Sequence, residues 1–274
     1  MKRTHREMPR IPRDIKLQAC LADPDGVSEY RFLVDEKHIK YITVEPGVIP
    51  PDDISFEPAL KERLPDFPPG DWNEGHVAED KATKKPIFTK TARRDLPGVK
   101  NIWHSRSIDH LQLRWIERMR QNVRIVTCPL FENPIVYKFA EFPWQTPMLE
   151  AETTAYGWID GHGIGPRFLG HVTEAGRVIG FLLEMITGRT AEVEDLEKCR
   201  RVLKSLHELG VKHGDINKHN FLIQDGREEA VLIDFEVTAR CQDEIELLRE
   251  FDGLREQLEE NTGRGGIIEL KDEA

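Results

Sequence analysis

HGDINKHN, residues 213–220, is the segment that constrains the architecture most strongly. It has the form HxDxxxxN and follows a stretch with the apolar spacing of a long amphipathic helix. The apolar run at residues 221–223 comes directly after it, and a second apolar run ends in Asp234-Phe235-Glu236, fourteen residues beyond Asn220. The pattern predicts a loop between a helix and a strand pair, with carboxylate and amide side chains gathered at the strand ends.

Two charged residues upstream of this segment, a lysine and a glutamate, are candidates for an ion pair. Lys138 lies in the apolar strand pattern of residues 135–140 (IVYKFA), and Glu152 follows it by fourteen residues on a predicted helix. Glu150 is a rival partner for Lys138, two residues away and therefore about 200° around the helix. We favour Glu152 because apolar residues share its face and point it inward. Those residues are Ala155, Tyr156 and Ile159.

These segments resemble the catalytic loop, the metal-binding motif and the lysine–glutamate pair of the protein-kinase-like superfamily. The apolar pattern ending at Leu183, followed by residues 184–188 (EMITG), is similar to the hinge of that superfamily. The resemblance implies ATP and Mg²⁺ as cofactors. It also implies that adenine binds through the backbone of the hinge, which places Glu184 and Ile186 at the ATP site.

The resemblance implies a role for each charged residue. Asp215 would accept or orient the proton of an attacking hydroxyl. Asn220 and Asp234 would supply oxygen ligands to Mg²⁺. Lys138 would neutralise the α- and β-phosphates of ATP, with Glu152 fixing its side chain.

The chain departs from the superfamily pattern in several places. No GxGxxG occurs upstream of Lys138, and the loop at residues 128–134 is the nearby candidate for the missing phosphate-covering loop. Glu236 replaces the glycine of the Asp-Phe-Gly motif, which should stiffen that turn, and Gly214 stands where regulated kinases carry arginine. Only 40 residues follow Asp234, with no APE signature. The short remainder favours a small-molecule acceptor, or one dedicated protein partner, over a broad range of peptides.

The resemblance extends through four further segments, which are residues 69–73 (PGDWN), 168–172 (FLGHV), 177–181 (RVIGF) and 212–223 (KHGDINKHNFLI). The resemblance there is to an uncharacterised fungal family of kinase-like proteins, some of which carry the name alpha-galactosidase A. It covers about residues 65 to 240. The glycosidase name is discounted, because nothing in the sequence indicates a barrel of alternating strands and helices. The HGD form is also similar to aminoglycoside and lipopolysaccharide-sugar phosphotransferases and to small atypical kinases of the KEOPS and Rio type.

Composition excludes several other classes of protein. The 274 residues carry a net charge of −10, which argues against a nucleic-acid partner. No apolar run approaches the ~20 residues that span a bilayer, so no membrane partner is expected. Residues 1–15 lack the apolar core of a secretory signal, and the four cysteines form no CxxC pair. We therefore expect a cytoplasmic protein, with the nucleus as the alternative.

The expected fold class is α+β. A bilobal protein-kinase-like domain is predicted at residues 107–274, with a small lobe at about 107–184 and a truncated large lobe, or C-lobe, at about 185–274. Residues 1–106 are predicted to form an N-terminal extension containing a strand hairpin and a proline-rich wrap. The strand patterns within residues 15–44 are expected to extend the sheet of the small lobe.

The apolar spacing also predicts individual elements. Prolines between residues 46 and 75 exclude long regular structure there. The last helix carries acids on its outer side, which indicates a solvated face. Helices are predicted at residues 107–121, 146–161, 191–209 and 243–260, and strands at 123–126, 135–140, 167–172, 177–183, 221–223 and 231–235. The acids are 243, 244, 246, 250, 252, 256, 259 and 260.

The sequence thus supports one main hypothesis and one alternative. The main hypothesis is an ATP- and Mg²⁺-dependent phosphotransferase, an atypical protein kinase or a small-molecule kinase, that transfers a phosphoryl group to a hydroxyl. The alternative is a pseudokinase, which binds nucleotide or serves as a scaffold without catalysis.

Overall fold

The structure is a computed structural model that describes residues 14–227 and 229–260. The chain divides into two compact units, residues 1–96 and 97–274. Residues 97–106 belong to the second unit, ten residues earlier than the predicted domain boundary, and Val99 lies in its core. Residues 1–13 and 261–274, at the outer ends of the two predicted domains, lie outside the described residues. Most of the segment that lacks the pattern of a secretory signal is among them.

The first unit is a five-stranded sheet with its strands in sequence order. Neighbouring strands are antiparallel except the third and fourth, which are parallel and are joined by a crossover containing the seven-residue helix α1 (Glu57–Arg63). The predicted strands within residues 15–44 are confirmed. The expectation that they extend the sheet around Lys138 is wrong, because they pair only within this sheet of their own. The strands are β1 (Ile15–Leu21), β2 (Ser28–Val34), β3 (His38–Val44), β4 (Glu74–Glu79) and β5 (Pro86–Ala92).

The second unit begins with a six-stranded sheet, in which the first and fifth strands along the chain pair in parallel and all other neighbours are antiparallel. The strands are β6 (Ser107–Asp109), β7 (Arg114–Arg120), β8 (Val123–Thr127), β9 (Ile135–Phe139), β10 (Phe168–Glu174) and β11 (Arg177–Glu184). Their order is β6-β10-β11-β9-β8-β7. Helix α2 (Thr146–Ile159) lies between β9 and β10 in the chain and contributes Leu149, Tyr156 and Ile159 to the core.

The predicted helix at residues 107–121 is wrong, because this segment forms β6, a 3-10 turn and β7. Its apolar residues recur at helical spacing, but they are not buried on one face: Ile108 is buried against β10, whereas Trp115 and Met119 are 46% and 43% exposed. The Asp109 side chain accepts a hydrogen bond from the backbone N–H of Leu111 and favours the turn over a helix. Strand β7 then pairs with β8 as a hairpin.

The described remainder of the second unit consists of two helices and two small sheets. The predicted helix at 191–209 starts later than expected, at Leu196, because a 3-10 turn precedes it. The predicted last helix is confirmed, with the Asp243 side chain accepting hydrogen bonds from the N–H groups of Ile245 and Glu246. The elements are β12 (Gly188–Thr190), α3 (Leu196–Glu208), β13 (Val211–Lys212), β14 (Phe221–Gln224), β15 (Ala230–Leu232), β16 (Ala239–Arg240) and α4 (Glu244–Glu259), and the sheets are β12-β14-β15 and β13-β16.

The fold is therefore a mixed α/β arrangement with several sheets and, among the described residues, four helices. None of these helices combines the length and the apolar character that crossing a bilayer requires. All four cysteines carry free thiols.

Candidate active site

Lys138 is the centre of a buried cluster of charges. Its side chain is 9% exposed, and its Nζ lies 2.7 Å from Glu152 Oε2, 2.8 Å from Asp234 Oδ1 and 2.9 Å from Glu236 Oε1. The rival Glu150 is engaged elsewhere, since its carboxylate accepts hydrogen bonds from the backbone N–H groups of residues 100 and 101. Strand β9 and helix α2 thus bring Lys138 and Glu152 together, and the segment after β15 supplies two further carboxylates.

The electrostatics of this cluster keep the lysine charged. Burial lowers the pKa of Lys138, but the three carboxylates outweigh burial and raise it above its usual range. Burial raises the pKa of Glu152 to about 7 against the opposing effect of Lys138. Burial also acts to raise the pKa of Asp234, but Lys138 and Arg120 outweigh it and hold that pKa below its usual range. At neutral pH the cluster therefore holds an ammonium group and an ionised Asp234, while burial opposes ionisation of Glu152.

The backbone at Asp234 aims its carboxylate at Lys138. Asp234 has φ of 66°, in the left-handed region that few residues other than glycine adopt. The turn is fixed on both sides: the N–H of Ile233 donates to the carbonyl of Asn220, and the fully buried Phe235 ring packs against Tyr156. The predicted strand at 231–235 accordingly ends early, at Leu232. Local strain of this kind is typical of functional sites.

Asp215 is oriented by hydrogen bonds within its own loop. Its Oδ2 accepts hydrogen bonds from Asn217 Nδ2 at 3.0 Å and Asn220 Nδ2 at 3.2 Å. Its backbone N–H donates to Nδ1 of His213, and Nε2 of His213 donates to the carbonyl of Ile233. Burial lowers the pKa of His213, so a neutral imidazole with its proton on Nε2 satisfies both contacts. This buried histidine therefore ties the Asp215 loop to the residue before Asp234.

Gly214 has no room for a side chain. Its φ is +86°, and a Cβ at this position would lie 2.9 Å from the carbonyl oxygen of Val237. Only glycine adopts this conformation without strain. The replacement of the kinase arginine by glycine in the HGD form therefore follows from the backbone path of the loop.

Glu250 on α4 anchors this loop, and its role was missed in the sequence. Its Oε1 accepts a hydrogen bond from the N–H of Gly214 at 2.6 Å, and its Oε2 accepts one from the N–H of His213 at 3.1 Å. Nε2 of His207 on α3 lies 2.7 Å from the same Oε2. Glu250 is buried and is therefore not part of a solvated acidic face. Its spacing from the buried Leu254 and from Leu258 was the available signal, since residues four apart share a helix face.

Replacing Glu250 by glutamine is expected to lower the free energy of unfolding by about 1–3 kcal/mol at pH 7, because buried N–H donors lose a charged acceptor. Burial acts to raise the pKa of Glu250, but His207 and the two N–H groups outweigh it and lower that pKa. The stabilisation is therefore present above the ordinary glutamate pKa and disappears as the pH falls through the lower, folded value. Urea denaturation of both proteins at pH 7 and at about pH 4 measures the difference and its decline.

Glu256→Gln is the matched control, because Glu256 lies exposed on the same helix. The control should unfold like the wild type. Equal stability of the Glu250 and Glu256 variants would show that Glu250 does not anchor the loop.

The hinge residues lie at the end of β11. Strand β11 pairs with β9 so that Phe181 is in register with Lys138 and Glu184 with Ile135. The backbone N–H of Glu184 donates to the carbonyl of Arg167, while Ile186 is half-buried in the connection to β12. No hydrogen bond or ion pair joins Glu184 or Ile186 to the charged cluster among the described residues, and the strand register places Glu184 three residues along β9 from Lys138.

The loop at residues 128–134 is not the one beside Lys138, which corrects the expectation for the missing glycine loop. This loop joins β8 to β9 at the Ile135 end, whereas Lys138 pairs with Val123 at the other end of the hairpin. The nearby turn is the one between β7 and β8, and Arg120 next to that turn places Nη1 3.4 Å from Asp234 Oδ2. The misassigned helix at 107–121 concealed this hairpin.

The donor atoms suit a hard cation. Carboxylate oxygens of Glu152, Asp234 and Glu236 lie within 4.8 Å of one another. Asn220 donates to Asp215 through Nδ2, which leaves its amide oxygen as the atom that can bind a metal. Oxygen donors of these types are the ones that Mg²⁺ prefers, so the residues fit this ion. Strands β14 and β15, which pair Phe221 with Leu232, bring the Asn220 and Asp234 segments side by side.

Part of the second unit is similar to known kinases. Residues 184–259 match the model of the lipopolysaccharide kinase (Kdo/WaaP) family. No curated protein matches the chain. Among solved structures, the kinase PK-1 of the Cydia pomonella granulovirus is similar over 47% of this chain, with 10% sequence identity and a TM-score of 0.39. The similar region spans 53% of that viral kinase, about half of its length.

The family match covers the residues predicted as a hinge, the loop with Asp215, and Asp234, whereas Lys138 and Glu152 lie outside it. The sequence-based assignment to a kinase-like superfamily is therefore supported, while no comparison shows the fungal family named alpha-galactosidase A. Residues 184–259, which contain Asp215 and Asp234, are thus similar to a family of kinases.

Proposed function

We propose that the protein is an ATP- and Mg²⁺-dependent phosphotransferase that acts on a hydroxyl group. The observation that carries the proposal is the cluster in which Lys138 Nζ lies 2.7 Å from Glu152 Oε2 and 2.8 Å from Asp234 Oδ1. A hydrogen bond from His213 to Ile233 connects the Asp215 loop to this cluster. In this proposal the kinase-like domain is bilobal. The six-stranded sheet with α2 is the small lobe, and the segment from residue 185 onward is a reduced large lobe.

The charged cluster provides the parts that a nucleotide requires. Asp234 and Asn220 would hold Mg²⁺, which would neutralise the negative charge of the phosphates. Lys138, whose side chain Glu152 fixes at 2.7 Å, would contact the α- and β-phosphates. Adenine would bind at the backbone of Glu184 and Ile186.

The proposed reaction requires little covalent assistance from the protein. The acceptor oxygen forms a bond to the γ-phosphorus of ATP as the bond from that phosphorus to the bridging oxygen breaks, and ADP leaves. The hydroxyl proton passes to Asp215, whose carboxylate is held by Asn217 and Asn220. The name of the family matched at residues 184–259 favours a sugar hydroxyl as one class of acceptor.

A pseudokinase is the second candidate, and one observation favours it. Lys138 makes ion pairs with three carboxylates, so phosphates must compete with Glu236 as well as with Asp234 for the ammonium group. A protein that kept these pairs permanently would bind nucleotide weakly and would transfer nothing.

Two measurements on the wild type distinguish the candidates. A thermal shift with Mg-ATP reports binding, since a ligand at 100 times its Kd adds ~2.7 kcal/mol to the stability. Release of ADP, with ATP alone and with sugar or protein acceptors, reports transfer. The enzyme is expected to show both, with turnover well above that of Asp215→Ala. Binding without turnover above that variant supports the pseudokinase, and absence of both contradicts the proposed function.

A further inference from the structure

A cavity of about 400 Å³ lies beside Asp215, between its loop and helix α4. This volume is within the range of small-molecule sites. Its lining is more polar than apolar, and it is a shallow depression that is broadly open to solvent. The residues used below are Lys212, Asp215, Glu246, Arg249, Gly253 and Gln257, all of which line it.

Helix α4 keeps this cavity open through a glycine. Gly253 lies inside the helix, where glycine is less favourable than alanine. A Cβ at this position would meet no atom within 4 Å, so close packing does not explain the glycine. Arg249 precedes it by four residues and Gln257 follows it by four, and the three residues share one face of the helix. A side chain at position 253 would extend into the cavity.

Most charges around the cavity are already paired. Glu250 is used by His207 and the loop backbone, and Lys212 Nζ lies 3.1 Å from Glu246 Oε2. Arg249 differs from these, since it is exposed and pairs with no carboxylate of a described residue. Of the two Asp215 oxygens, Oδ2 accepts the hydrogen bonds from the asparagines. The cavity is therefore lined by one guanidinium group that is not used by a carboxylate and, apart from it, by Asp215.

We propose that this cavity is the acceptor site and that it takes a small hydroxylated molecule bearing a carboxylate or a phosphate group. Arg249 binds the anionic group, since guanidinium recognises these planar or multi-oxygen anions through paired hydrogen bonds. A hydroxyl of the same molecule then faces Asp215. This assignment rests on the proposed function, and it adds the class of acceptor and the residue that selects it.

The chemistry is that of a phosphoryl transfer from a nucleoside triphosphate. The acceptor oxygen bonds to the γ-phosphorus, the bond to the bridging oxygen breaks, the nucleoside diphosphate leaves, and the hydroxyl proton passes to Asp215. The anionic group on Arg249 takes no part in bond changes. It fixes the molecule so that one hydroxyl is in line for attack.

Matched pairs of compounds test the proposal. Glycerol 3-phosphate is compared with glycerol, and glucuronate with glucose, by calorimetry in the presence of Mg²⁺ and a non-hydrolysable ATP analogue. At least one anionic compound is expected to bind the wild type at least tenfold more tightly than its neutral partner. Arg249→Gln should weaken that binding by about 10- to 100-fold, the effect of losing a charged hydrogen-bond partner. Gly253→Leu should reduce binding by filling the cavity.

Arg255→Gln is the matched control, because Arg255 lies exposed on the same helix and pairs with Glu259 at 3.2 Å. It should bind the compounds like the wild type. Equal binding of anionic and neutral partners by the wild type, or equal effects of the Arg249 and Arg255 substitutions, would overturn the assignment. Affinity for the ATP analogue is recorded in the same titrations. If the analogue binds and no anionic compound is preferred, the acceptor assignment alone fails, whereas lack of analogue binding counts against the proposed function.

Discussion

Asp215→Asn is expected to lower the rate of phosphoryl transfer by about 10²–10⁴-fold, the usual effect of losing a general base. The affinity for Mg-ATP should stay close to that of the wild type, because asparagine preserves the shape of the side chain. It also retains an oxygen that can accept the hydrogen bonds from Asn217 and Asn220. Steady-state ADP release and titration with a non-hydrolysable analogue measure the two quantities separately.

Asp225→Asn is the control for this substitution, because Asp225 lies exposed in the turn between β14 and β15. It should leave both quantities unchanged. An Asp215→Asn protein that turns over at the wild-type rate would remove Asp215 from the reaction.

Lys138→Met is expected to destabilise the protein by about 3–5 kcal/mol at pH 8, because it leaves buried Glu152 without a cation. Burial holds the pKa of Glu152 near 7 even beside Lys138, and loss of the lysine raises it further. A group whose folded pKa exceeds its unfolded value stabilises the protein below the unfolded pKa and loses this contribution as the pH rises through the folded value. The deficit of the variant should therefore be smaller at pH 5.5 than at pH 8 in urea denaturation.

Two further variants make this result specific. The double substitution Lys138→Met and Glu152→Gln removes the uncompensated charge and should recover much of the stability at pH 8. Lys204→Met, at an exposed position on α3, is the surface control and should cost little. If Lys138→Met has the same free energy of unfolding as the wild type at pH 8, the buried ion pair does not stabilise the protein.

The segments near Asp215 were accessible from sequence because their relations are local. The loop, the strand after it and Asp234 lie within about twenty residues, and spacing alone places them at neighbouring strand ends. The Lys138–Glu152 contact required one additional argument, that apolar neighbours turn Glu152 rather than Glu150 inward. The structure brings Lys138 to Glu152 at 2.7 Å, although their roles in catalysis remain proposals.

Long-range relations were not accessible in the same way. Arg120 reaches Asp234 only because residues 114–120 form a strand, and their apolar periodicity indicated a helix. The sequence identified Glu236 only as a replacement for the glycine of the Asp-Phe-Gly motif. Its position in the sequence does not indicate that its carboxylate contacts Lys138. The density of acidic residues on the last helix indicated a solvated face that included Glu250. Leu254, four residues later on the same face, is buried, and Glu250 is buried with it.

Calorimetric titration of ATP with and without Mg²⁺ is the most direct test of the metal–nucleotide site at Asp234. The wild type is expected to bind Mg-ATP much more tightly than ATP alone. Asp234→Asn removes one negative charge next to the cation, so this variant should lose most of the effect of Mg²⁺ while remaining folded, as circular dichroism would show. An Asp234→Asn protein that binds Mg-ATP as tightly as the wild type would contradict the metal site and leave Asp234 as a residue of the turn.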